Sequence, residues 1–176
     1  MAQALRPVKP YGYTALYSAV SIGLDAFQSA RHRRQAIIVI SDGDDRLPGD
    51  VRTPGAFTPA QRRALPVLDR ALRSEALIYA IGVDAASEPM YGVDPVALRK
   101  LTDSTGGSTQ IVKSDSAVLG AAERIGDELR QQYVIGFVPA QPADGKFHNV
   151  RVTVKGCTCH VRARRGYVAD KSNASK

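Results

Sequence analysis

Gln35-Ala36-Ile37-Ile38-Val39-Ile40-Ser41-Asp42-Gly43-Asp44-Asp45 is the stretch on which the fold of this 176-residue chain turns. Its five apolar residues, Ala36 to Ile40, run without alternation, which is the pattern of a strand buried on both faces inside a parallel sheet. The run stops at a cluster of oxygen-bearing side chains and a glycine. In open α/β sheets the binding crevice lies just beyond the carboxyl ends of such strands. Ser41, Asp42, Asp44 and Asp45 occupy that position, so any chemistry is expected there.

Upstream, Tyr11-Gly12-Tyr13-Thr14 precedes a helical pattern with Leu16, Val20, Leu24 and Phe27 on one face, and Thr14 is placed to be near its N-cap. Downstream, Pro48-Gly49, Pro54-Gly55 and Pro59 punctuate a long loop. Thr58-Pro59-Ala60-Gln61 then has capping-box form, opening a helix that Pro66 kinks or restarts, with Leu65, Leu68 and Leu72 as its apolar face. Ala76–Gly82 is a second buried strand. Asp94-Pro95 starts a short helix that Gly106-Gly107 stops, and Ser108–Lys113 forms a third strand. Ser116 caps a longer helix carrying Val118, Ala122, Ile125 and Leu129. This alternation predicts an α/β fold: a Rossmann-like parallel sheet flanked by helices, over residues 1–131.

The pattern changes over residues 132–169. Gln132–Val138, Phe147–Lys155 and Cys159–Ala163 are strand-like, the first two joined through Asp144-Gly145 and the last two around Gly156. They predict a small antiparallel β unit. Residues 170–176 are polar and are expected to be a disordered tail.

Composition narrows the function classes. The length suits one domain with a core of its own, and no apolar stretch approaches the length of a bilayer span. The net charge of +7 raises a nucleic-acid reading. The basic residues are spread, however, and their densest groups, Arg31–Arg34 and Arg162–Arg165, fall at element ends without interleaved aromatics. Solvated basic surface is therefore favoured over a nucleic-acid site. Cys157 and Cys159 lie in a Gly-rich turn beside His160. That spacing fits no zinc template, and a disulfide between residues two apart would be strained, so both read as incidental turn cysteines.

Asp42, leaving the end of its strand, and Thr14, opening the helix that leads back to it, belong at the same sheet edge. A carboxylate and a hydroxyl there are hard ligands suited to Mg²⁺, Mn²⁺ or Ca²⁺. On spacing alone they serve equally well as turn caps. A rival from another class is a Mg²⁺-dependent phosphotransfer or hydrolase domain with Asp42 as nucleophile or ligand. It has no recognisable Lys or Ser/Thr partner at the other strand ends, and His32, His148 and His160 all fall in surface-type segments.

Thr14-Ala15-Leu16-Tyr17, the strand ending in Ser41-Asp42-Gly43, and Ile78-Tyr79-Ala80-Ile81-Gly82 resemble successive motifs of the von Willebrand factor type A domain. The resemblance is to a bacterial subfamily best known from acidobacteria. It continues through Thr105-Gly106-Gly107, the helix end Glu128–Tyr133 and the segment Val161–Tyr167, and so spans about Leu5 to Tyr167. It implies a Rossmann-like sheet with a metal-ion-dependent adhesion site, in which Thr14 supplies the threonine and Asp42 the aspartate. Ser41, Asp44 and Asp45 match no ligand position. It implies a non-catalytic, protein-binding function, with an acidic side chain of the partner completing the metal shell. Export to the cell envelope or beyond is also implied, with any signal upstream of Met1.

The family's principal metal loop, Asp-x-Ser-x-Ser, is absent from this sequence. The nearest string, Asp170-Lys171-Ser172-Asn173-Ala174, fails at its last position and follows no buried strand. The expectation is an N-terminally truncated domain lacking its first strands, with Gln35–Ile40 as an open edge prone to self-association. Weak or absent metal binding follows, because two protein ligands are too few for a hard cation that takes six or more oxygens. A third possibility places the interaction surface on Tyr133–Tyr167, whose basic segment Arg162–Arg165 could meet an acidic partner; a strand edge guarded by charge explains it equally well.

Overall fold

The computed structural model describes residues 13–29, 35–51, 53–84, 92–140, 142–159 and 161–169. The expectations for Tyr11 and Gly12, for Arg31–Arg34, for His160 and for the tail 170–176 lie outside them. The described chain runs through α1 (Leu16–Ala26), a 3₁₀ turn (Phe27–Ser29), β1 (Ala36–Ser41), α2 (Pro59–Arg73) and β2 (Leu77–Val83). It continues through α3 (Pro95–Thr105), β3 (Thr109–Val112), α4 (Ser116–Arg130), β4 (Phe147–Asn149) and β5 (Gly166–Val168).

Strands β1, β2 and β3 form a parallel sheet in that order, and β4 pairs antiparallel with β5 in a separate small sheet. The α/β architecture expected from the sequence is therefore the one found. Helices α1, α2 and α3 cover one face, where Leu16, Val20, Leu24, Val67, Ala71, Leu98 and Leu101 pack around Ile78 and Ala80. Helix α4 covers the other, setting Ala121 and Ile125 against Tyr79, Ile81 and Val112. One helix shields less of a sheet than three. Ile37 and Val39 of β1 pack into the three-helix layer. Ile38 and Ile40, which alternation sends to the α4 side, stay 44% and 57% exposed.

The local chemistry agrees with the punctuation at several points. Thr58 and Gln61 make a reciprocal capping box with Pro59 at the first helical position. Asp94 caps α3 by accepting the Val96 and Ala97 N–H groups, and Gly106 ends it in the left-handed region at φ 88°. The Thr-Gly-Gly turn has a packing reason. The buried Thr105 hydroxyl accepts the Ile78 N–H at 2.9 Å, and a Cβ on Gly107 would collide with the Ile78 carbonyl. Only glycine lets this turn lie against β2.

Four details differ from the sequence reading. Helix α2 runs unbroken through Pro66 and buries Ala64, Val67 and Ala71, while Leu65 is exposed. Its buried stripe is made of small residues because α1 and α3 pack beside it. The N-cap of α1 is Ala15, with no side-chain cap from Thr14. Cys157 and Cys159, read as incidental, are joined as a disulfide; the turn that follows Gly156, at φ 75°, brings their sulfurs together.

The antiparallel unit is also smaller and differently paired. Gln132–Val138 forms no ladder among the described residues, and Phe147–Asn149 pairs with Gly166–Val168 rather than with Cys159–Ala163. The cause lies in the basic segment. Arg162 pairs with Glu128, the Arg164 guanidinium donates to the carbonyls of Ala71 and Ser74, and Arg165 pairs with Asp103 at 2.7 Å. These contacts draw residues 162–165 onto helices α2, α3 and α4, so the chain cannot fold back there as a hairpin strand. The Val150 N–H still donates to the Arg165 carbonyl at 2.8 Å, just before the ladder begins.

Candidate functional site

The loop leaving β1 is built from side chains that satisfy its own backbone. The Asp42 Oδ1 accepts the Asp44 N–H at 3.1 Å and the Ser41 hydroxyl at 3.3 Å, and Ser41 Oγ in turn accepts the Gly43 N–H at 3.1 Å. This is the local bonding that lets Asp and Ser replace a ladder at a strand end. Gly43 sits at φ 86°, and a Cβ there would approach the Asp94 carbonyl oxygen to 2.6 Å. The Asp94 N–H donates to the Asp42 carbonyl at 2.6 Å. The Asp-Gly pair is thus pinned against the start of α3, and its glycine is a steric requirement.

Thr14 approaches the same edge from α1. Its carbonyl accepts the Arg46 N–H at 3.0 Å, so the loop carrying Asp42 closes back on the segment carrying Thr14. The two sequence-predicted ligands therefore lie on adjoining loops at the carboxyl end of β1. Thr14 is exposed and Asp42 half-buried. Oδ1 of Asp42 is engaged within its own loop, while Oδ2 takes part in none of those bonds. The donor set is hard and suits a divalent cation, but it offers two side chains where such a cation takes six or more oxygens. Among the described residues no group of three His, Cys, Asp or Glu converges as a metal cage.

Alongside this pair, a groove of about 340 Å³ follows the free side of β1, lined by Thr14, Ala15, Ala19, Ile38, Ile40 and Ser41 among others. No strand among the described residues pairs with that side of β1.

The strongest electrostatic feature nearby was not singled out by the sequence. Asp45 is buried, accepts the Tyr17 N–H at 3.2 Å, and receives Arg63 Nε at 2.6 Å. Asp45 thus supplies an acceptor at the N-terminus of α1, with a charge of the sign the helix dipole favours. Arg63 also grips Asp50 through both its terminal nitrogens, at 2.9 and 2.7 Å. Those bonds hold the Asp50 carboxyl down to about 2 and push the Arg63 guanidinium further up. Burial, with the charges of Asp45 and Asp94, raises the Tyr17 phenol. The available signal was an arginine on the first turns of a helix following an acidic loop, but spacing across a loop does not specify a pair.

The resemblance motifs near the C-terminus also acquire contacts. Glu128 accepts the Ser108 hydroxyl at 3.2 Å and pairs with Arg162; Gln132 donates to the Tyr79 phenol at 2.9 Å. Burial lowers the affinity of Arg164 for its proton. Arg162, Arg164 and Arg165 thereby tie this segment to helices α2, α3 and α4.

No family model matches the chain. No curated protein matches it either. Among solved structures it is similar to the crystal structure of the conserved hypothetical protein BatB from Bacteroides thetaiotaomicron, with 14% identity and a TM-score of 0.44. That likeness covers 72% of this chain and 63% of the BatB chain. No helix among the described residues is long and apolar enough to cross a membrane.

Proposed function

We propose that this chain is a non-catalytic, protein-binding module of the von Willebrand factor type A kind, carrying two loops of a metal-ion-dependent adhesion site. Thr14 and Asp42 supply two oxygen ligands to Mg²⁺, Mn²⁺ or Ca²⁺, and an acidic side chain of a protein partner takes part in the shell. In domains of that kind the remaining protein ligands come from an Asp-x-Ser-x-Ser loop, a string this sequence does not contain. The chain therefore holds the recognisable half of the site and binds the ion weakly.

The observation that carries this reading is the closure of the Thr14 segment on the Asp42 loop. The Arg46 N–H bond to the Thr14 carbonyl, which ties the two backbone segments together, supports bringing Thr14 and Asp42 to one strand end. The order of motifs along the sequence and the helix-flanked parallel sheet support it. The exposed Ile38 and Ile40 support the strand's need for a neighbour.

Calorimetric titration with Mn²⁺ tests it. Binding weaker than micromolar is expected, and Asp42→Ala and Thr14→Ala should each reduce it further. Micromolar affinity that survives both substitutions would place the ion elsewhere and sink the assignment. Hydrolysis of a phosphomonoester that disappears in Asp42→Asn would sink the non-catalytic half of the proposal.

A further inference from the structure

The disulfide between Cys157 and Cys159 closes a loop of a single intervening residue, Thr158. Cross-linking restrains an unfolded chain least when the loop is this short. The bond also joins no two elements of the fold. Every residue from Arg151 to Cys159 is exposed, and Gly156 has open solvent where a side chain would stand. A staple for stability would tie distant parts of the core, and this one ties a solvent-facing turn to itself. Exposed disulfides of that kind are the exchangeable ones.

The two sulfurs are also not equivalent. The Cys159 N–H points at the Cys157 Sγ at 3.0 Å. A backbone donor there stabilises negative charge on Cys157 and makes it the better leaving group and the more acidic thiol. The surroundings act in the same direction. Arg151 and Lys155 lie on the same exposed stretch as the pair, and residues 151–159 contain no Asp or Glu. Local positive charge favours a thiolate and draws in thiols that carry carboxylates.

We propose that Cys157–Cys159 is a thiol–disulfide exchange site for low-molecular-weight thiols, in which the Cys159 sulfur is attacked and the Cys157 sulfur leaves. An incoming thiolate bonds to Cys159 Sγ as the S–S bond breaks, and the electron pair of that bond goes to Cys157 as thiolate. A second thiolate attacks the external sulfur of the mixed disulfide, releasing the Cys159 thiolate and a small-molecule disulfide. Two external thiols are oxidised, two electrons reduce the protein disulfide, and their two protons end on Cys157 and Cys159. The site is separate from the Thr14 and Asp42 loops and does not rest on their assignment.

The test uses the full chain in a graded series of reduced and oxidised glutathione, followed by alkylation and mass spectrometry. The pair is expected to pass from mostly oxidised to mostly reduced within the series, with the far-ultraviolet circular dichroism unchanged. A pair that stays oxidised throughout the series would instead be a fixed structural link, and loss of secondary structure on reduction would say the same. Two single-cysteine variants test the polarity. The pH profile of iodoacetamide alkylation should have its midpoint about one unit lower for Cys157 in Cys159→Ser than for Cys159 in Cys157→Ser. That is about tenfold more thiolate at neutral pH. Equal midpoints, or the reverse order, would overturn the assignment of attacked and leaving sulfurs.

Discussion

Strand β1 reads Ala-Ile-Ile-Val-Ile-Ser and strand β2 reads Leu-Ile-Tyr-Ala-Ile-Gly-Val, and the two lie in register, Ile38 beside Tyr79 and Ile40 beside Ile81. Yet β2 has a paired neighbour on each side and helices on both faces, while among the described residues β1 has one neighbour and a bare patch of isoleucine. Two equally apolar strands thus differ in how they are held. Strand β2 is held by packing and by close backbone contact with Gly107. Strand β1 is held on one face by α1, and its outgoing loop is tied down by polar bonds: Asp45 to Tyr17 and Arg63, Asp42 to Asp44, Arg46 to Thr14. Similar apolar composition does not confer similar burial; place in the sheet does.

The register pair Ile81 and Ile40 offers the sharpest way to break this contrast. Ile81→Ala, at a site with no exposed surface, should cost about 4 kcal/mol in urea unfolding, as a cavity left in a packed core does. Ile40→Ala, next to it in β1, should cost less than about 1 kcal/mol because half of the lost surface is already in water. Equal costs would mean that β1 is covered in solution and that the contrast is wrong.

The polar anchoring is tested next. Arg63→Ala leaves the buried Asp45 carboxylate without its cation and should destabilise by about 3 kcal/mol. Arg63→Met, which keeps the packed stem, should be no better if the charge is what matters; substantial rescue would return β1's outgoing loop to the apolar account.

A smaller effect on stability accompanies a visible effect on association. Ile38→Lys and Ile40→Lys place a charge on the open face beside the edge. Each should change unfolding free energy by no more than about 0.5 kcal/mol while lowering concentration-dependent association in light scattering. Association that is indifferent to both substitutions would move the sticky surface away from β1, with the exposed run Tyr133–Val138 as the next place to look.

The finest test is by pH. Asp50 is held at about 2 in the folded chain, below its ordinary 3.8. A depressed carboxylate stabilises the fold above its unfolded value, and that contribution disappears as pH falls through the window from 3.8 towards 2. Carboxyl carbon shifts followed by NMR should place the Asp50 midpoint inside that window's lower end, and Arg63→Ala should return it towards 3.8. A midpoint unmoved by that change would show that Arg63 is not the cause.

Much of the frame was legible in residues alone. Unalternated runs marked β1 and β2, and Thr58-Pro59-Ala60-Gln61, Asp94-Pro95 and Gly106-Gly107 marked helix ends, because capping chemistry acts within four residues and so is written locally. That the segment carrying Thr14 lies against the loop leaving β1 followed from parallel connectivity. The Asp45–Arg63–Asp50 cluster was not legible. Its partners are separated by a Pro- and Gly-rich loop whose path no local rule sets. The same holds for Arg162–Arg165. As a string they look like a charged edge, and only the placement of Glu128, Asp103 and the end of α2 turns them into a clamp that diverts the expected strand.

The sequence by itself thus determined the kinds of element, their order and the parallel connectivity, since periodicity, caps and crossover geometry are short-range consequences of residue type. Tertiary structure alone decided which apolar strand is covered, which acid caps α1 and where the C-terminal arginines anchor. Each of those depends on groups brought together, or left apart, by the path of the chain through space.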